Sequence, residues 1–105
     1  MENIKESQIR AIGNVLNDEK RAMKERFRAL FTLRNIGGSV AIECINRAFG
    51  DCSALLKHEL AYCLGQMQDV EAVDILIKVL ENLHENPMVR HEAGKLTFEE
   101  YIYVV

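Results

Sequence analysis

Each of the chain's three histidines is followed directly by a glutamate, and two of these pairs, His58-Glu59 and His91-Glu92, stand one repeat apart at an offset of 33. Imidazole plus carboxylate, without thiolate, suits a borderline metal ion: non-haem iron, with manganese or zinc as alternatives. Two histidines and one carboxylate form an open facial site that is able to bind oxygen as well. The zincin spacing His-Glu-x-x-His is absent. One such pair on a soluble helix is ordinary surface; two pairs in matching positions favour a site. His84 lies in the polar run Glu81 to Glu85, shares no register with the others and is expected at the surface.

For the two pairs to meet, the elements carrying them must be neighbours. Ile4, Ile9, Ile12 and Leu16 mark a first helix ending near Asn17 and Asp18. A second runs from about Lys20 to Ile36 on a stripe of Met23, Phe27, Leu30 and Phe31, and Gly37-Gly38 stops it. Ser39 is expected to cap a third helix that reaches about Phe49, with Val40, Ile42, Ile45 and Phe49 inward. After the break at Gly50-Asp51, a fourth helix starts near Ser53 and reaches Met67 on Leu56, Leu60, Leu64 and Met67. Asp69 caps a fifth, carrying Val73, Leu76, Ile77 and Leu80; Asn86-Pro87 opens a sixth. Sustained strand alternation is absent until the last few residues, and turns this short force antiparallel neighbours.

The sequence also repeats itself. Phe27 to Leu33 lies 31 residues before His58 to Leu64, and His91-Glu92-Ala93-Gly94 lies 33 after His58-Glu59-Leu60-Ala61. A period near 32 with two helices per period predicts an all-α helical-hairpin repeat solenoid forming one domain over 1–105, and the period alone suits several kinds of helix-pair repeat. His58 lies about 200° round its helix from Leu56 and so points away from the stripe. Its own face carries Ala54, Ala61 and Gly65, and His91 has Gly94 three residues on. A groove of small residues there would leave room for an ion, and equivalent helices side by side would let His58, His91, Glu59 and Glu92 share it.

The remaining composition excludes more than it assigns. The formal charge of -3, with 13 Lys+Arg against 16 Asp+Glu, gives no basic footprint for nucleic acid. Lys20, Arg21, Lys24, Arg26 and Arg28 alternate with Glu19 and Glu25 and read as a solvated face. Cys44, Cys52 and Cys63 are odd in number and form no Cys-x-x-Cys, so neither a disulfide framework nor a thiolate zinc site is expected. Cys63 belongs on the buried side of its helix. Tyr62 is more open, as packing or as a hydrogen-bond donor beside the site, and Arg90 is expected in solvent. No stretch is apolar enough to span a membrane, and a reducing, cytoplasmic setting fits best.

The residues from Ser53 to Asp69, SALLKHELAYCLGQMQD, resemble the first iron-binding repeat of the deoxyhypusine hydroxylases. ENPMVRHEAG, Glu85 to Gly94, is similar to the next repeat, and ERFRALFTLRNIGG, Glu25 to Gly38, to the family's N-terminal part. The resemblance covers about 9–94 and implies a HEAT-like enzyme of two similar halves. In such an enzyme four His-Glu pairs surround a diiron centre that activates dioxygen. The enzyme then hydroxylates the deoxyhypusine side chain of a translation initiation factor to form hypusine. Carried across, His58, His91 and Glu92 match ligands of ferrous iron, and Glu59 matches the carboxylate that holds the cationic substrate side chain. The tail 95–105 departs from the repeat, and only two of the four pairs are present. The chain is therefore expected to be an iron-dependent monooxygenase's N-terminal half, completed by a second copy if active. A non-catalytic binding module and an inactive half-enzyme are the competing expectations.

Overall fold

The computed structural model describes residues 4–104, with side chains described as far as Leu96. Six helices follow one another: α1 (Glu6–Leu16), α2 (Met23–Ile36), α3 (Gly38–Arg47), α4 (Ala54–Met67), α5 (Val70–Glu81) and α6 (Pro87–Val104), with a 3-10 turn at Ala48–Gly50 after α3. Among the described residues there is no strand. Helices α1, α3 and α5 pack side by side in one layer, and α2, α4 and α6 in the other. The shortest dimension, 17 Å, is that of two helix layers roughly 10 Å apart. The chain is thus an all-helical, HEAT-like stack of antiparallel pairs.

Local chemistry sets most of the boundaries. The Ser53 hydroxyl accepts the Leu56 N–H at 3.2 Å, the Asp69 carboxylate accepts the Glu71 N–H at 2.9 Å, and the Asn86 side chain accepts the Met88 N–H at 2.8 Å. These satisfy donors that a helix start leaves open. Pro87 fills the first position of α6. Gly37 and Gly38 turn the chain from α2 into α3 at φ of 72° and 85°, where a β-carbon would be strained.

Three expectations are corrected. Ser39 does not cap α3: the helix begins at Gly38, so Ser39 lies in its first turn and donates to Glu71 Oε1 at 2.8 Å. The second helix starts at Met23, because Asp18 Oδ1 accepts the Lys20 N–H at 2.9 Å and holds 18–20 as a turn. The buried face of α2 is Arg26, Ala29, Leu30 and Leu33. Phe31 is 37% exposed and stacks on Phe27 with ring centroids 6.4 Å apart, with Arg34 5.2 Å above its ring. Helix α2 contacts α1, α3 and α4 together, which rotates its inward face towards Arg26.

Arg26 therefore leaves the solvated set. It is 4% exposed and donates from Nη2 to Asp51 Oδ2 at 2.7 Å and from Nε to the Leu16 carbonyl at 2.8 Å. Elsewhere the core is aliphatic: Leu30, Leu33, Ile42, Ile45, Leu56, Leu60, Leu64 and Leu76 are fully buried. Helix α6 continues through Val104, so the backbone of 97–104 is helical, while the side chains of 97–105, in the tail expected to depart from the repeat, lie outside the described ones.

Candidate metal centre between α4 and α6

Helices α4 and α6 lie against each other in one layer. Their contact brings His58 Nε2 to 3.1 Å from Glu92 Oε1. On the other side of the ring, His58 Nδ1 stands 4.0 Å from Glu59 Oε1. The His58 and Glu59 side chains are about one-third exposed and Glu92 is 13% exposed, so the group opens to solvent at one edge. Two donors each about 2.1 Å from one ion, at a right angle, stand roughly 3 Å apart. The His58–Glu92 spacing fits that geometry.

His91 stands apart from this pair. It is exposed and lines a groove with Leu80, Pro87, Arg90, Gly94 and Lys95. One step along a helix turns a side chain by about 100°, so adjacent His91 and Glu92 leave α6 in different directions. His84 is exposed, as expected, and Tyr62 is 42% exposed. The small residues do not leave an open groove. Ala61 is fully buried, and a β-carbon on Gly65 would stand 2.8 Å from Leu96 Cδ2. Small side chains here let α6 approach α4, which is what carries Glu92 to His58. Gly94 likewise receives Leu80.

Cys63 is fully buried and desolvation pushes its thiol up to about 11, so it stays protonated and packs as an apolar residue. Among the described residues, three potential ligand atoms gather elsewhere, at Glu19, Asp51 and Cys52, all within 4.8 Å of one another. This group was not among the candidate ligands expected from the sequence. Its signal was the 33-residue spacing that places Glu19 and Cys52 in equivalent turns. The three could coordinate a metal, but Asp51 already holds Arg26 and the Ser53 N–H.

The comparisons agree with the repeat. Residues 56–82 match the family described as the PBS lyase HEAT-like repeat. The chain is 66% identical over 92 residues to deoxyhypusine hydroxylase of Drosophila melanogaster and 58% identical over 92 residues to that of Homo sapiens. Each match covers 88% of this chain. The structure of human deoxyhypusine hydroxylase in complex with glycerol superposes with a TM-score of 0.84 and 58% identity over 87% of this chain. This chain is homologous to deoxyhypusine hydroxylase. It spans about 30% of the length of those curated deoxyhypusine hydroxylases and 32% of the solved one.

Proposed function

We propose that the chain supplies one ion's share of the iron site of a deoxyhypusine hydroxylase, the observation carrying this being the His58–Glu92 approach across successive repeats at 3.1 Å. His58, Glu92 and, after a rotation of its side chain, His91 would hold the metal. Ferrous iron, when bound in a pair of such sites, supplies the activation of dioxygen that hydroxylation of a C–H bond requires. Glu59, one-third exposed beside His58, would hold the cationic amine of the lysine-derived side chain by a charge-assisted hydrogen bond. The substrate is the deoxyhypusine-bearing translation initiation factor, met in the cytoplasm and without nucleic acid. Two irons need a second donor set, and a second copy of the chain is one source of it.

Anaerobic addition of ferrous iron, followed by iron analysis, light scattering and a hydroxylation assay, tests this. At most one iron per chain is expected, with binding lost in H58A and E92A and turnover confined to assemblies. Iron binding indifferent to both substitutions, or two irons and turnover in a strict monomer, would sink it. One other reading is a non-catalytic repeat module that binds the factor through a face of the helical stack. A metal-free chain that binds the factor with unchanged affinity in H58A and E92A would establish that reading instead.

A further inference from the structure

Buried charge clamps tie α2, α4 and α6 to one another through the turns before them. Arg26 of α2 donates from Nη2 to Asp51, in the turn before α4. Lys57 of α4 donates from Nζ to Glu85 Oε1 at 2.6 Å, in the turn before α6. The Lys57 and Glu85 side chains are 14% and 7% exposed. The two clamps adjoin, since the Lys57 charge also acts on Asp51.

The second clamp borders the candidate metal centre on both helices. Lys57 directly precedes His58 on α4. Glu85 Oε1 also accepts the Asn86 N–H at 2.7 Å, and the Asn86 side chain accepts the Met88 N–H at 2.8 Å. A continuous set of hydrogen bonds thus runs from α4 into the first turn of α6. Further along α6, Leu96 packs over Gly65 of α4. Glu92 lies between these two anchors, seven residues after Glu85 and four before Leu96. Val89 and Ala93 are fully buried and keep α6 on the stack, but such apolar contact is non-directional and does not fix where the start of the helix stands.

We propose that Lys57 and Glu85 are the positioning pair of the site: they hold the start of α6 against α4, and so hold Glu92 at His58. On the metal reading of that contact, which this builds on, the pair sets the spacing of two donors. Without Lys57, the Glu85 carboxylate has no counter-charge where water barely reaches, and it must turn outwards to be solvated. Its bond to Asn86 then carries the start of α6 with it. Neither residue touches the ion. They act as the outer groups of a metal site do, by fixing the geometry of its ligands.

Two measurements on the full chain test this. K57M keeps the length of the stem and loses the charge, whereas K57R keeps the pair. Crystal structures of the metal-free variants read the geometry. In K57M the His58 Nε2–Glu92 Oε1 separation is expected to widen past about 3.5 Å, and in K57R to stay near 3.1 Å. Anaerobic titration with ferrous iron, at a temperature where every variant is folded, reads the consequence. K57M and E85Q are expected to weaken binding about tenfold to a hundredfold, and K57R to retain it. G13A, which disturbs the packing of α1 on α3, is the stability control and is expected to bind iron as the unaltered chain does. Glu92 still at His58 in the K57M structure, unchanged iron affinity in K57M, or a loss in G13A as large as that in K57M overturns the proposal. Failure of the unaltered chain to bind iron sinks the metal reading instead, and the metal-free structures still decide the positioning.

Discussion

At the scale of single residues, Arg26 and Asp51 carry the sharpest energetic consequence. Their side chains are 4% and 6% exposed, and Arg26 also closes the carbonyl end of α1 through Leu16. Removing either partner leaves a buried charge uncompensated, which typically costs about 3–5 kcal/mol. R26A is therefore expected to lower the urea midpoint far more than R28A, whose side chain is exposed. Burial alone would push the Asp51 carboxyl up. The Arg26 hydrogen bond, the Ser53 N–H and the charges of Arg26 and Lys57 outweigh it and hold the group below its ordinary 3.8. A carboxyl depressed in the folded state contributes stability that is complete above its unfolded value and is lost as pH falls through its folded value. Stability is thus expected to drop as pH falls below 3.8, and D51N should flatten that drop in acid melts. None of this was legible in the sequence, where Arg26 sits among four other cations. Only the position of α1 and of the turn at Asp51 separates it from them.

At the scale of elements, α4 was readable and α2 was not. Leu56, Leu60 and Leu64 are buried as their spacing requires, because α4 is covered from both neighbouring repeats and has one dominant apolar stripe. Helix α2 buries Arg26, Ala29, Leu30 and Leu33, and of the expected stripe only Leu30 is fully inward while the Phe27 and Phe31 rings sit at the shoulder. The neighbouring of α4 and α6 was legible too, since a 33-residue period places equivalent helices beside each other; it brings Glu92 to His58, while His91 of the expected set lines a separate groove. The filling of Gly65 by Leu96 was not, because it depends on how closely the helices approach. Replacing Leu64 by Ala is expected to cost about 2–5 kcal/mol. His84→Ala, in an exposed turn, should stay within about 0.5 kcal/mol. Equal losses in thermal melts would show the faces to be misassigned. Gly13→Ala would drive a β-carbon to 2.8 Å from Cys44 Cβ, between α1 and α3, and is expected to cost about 1–3 kcal/mol.

At the scale of the whole molecule, the repeats are tied by a ladder that follows the sequence period. Arg10 donates to Glu43 and Arg47 to Asn14, both 33 residues apart; Arg34 donates to Gln66 and Ser39 to Glu71, both 32 apart. Each bond joins equivalent positions in adjacent pairs, so every pair is held only by its neighbours. In such a stack stability is the sum of each unit and its interfaces, and a terminal unit has one interface where an inner one has two. Helix α4 touches α2, α3, α5 and α6, whereas α1 touches α2 and α3. The partners of the α1 side chains Arg10 and Asn14 are surface bonds, each worth little in water. Opening should therefore begin at an end, and α1 should exchange its amide hydrogens through local opening at a lower free energy than α4. Native-state hydrogen exchange reads this directly. Amides at Leu60 to Leu64 are expected to report the global unfolding free energy and those at Ile9 to Gly13 a smaller one. In R26A, which cuts the Leu16 contact, the α1 amides should lose further protection before those of α4 do. Uniform protection along the chain would mean that the stack opens all at once, with the buried clamps coupling its ends more tightly than the nearest-neighbour picture allows.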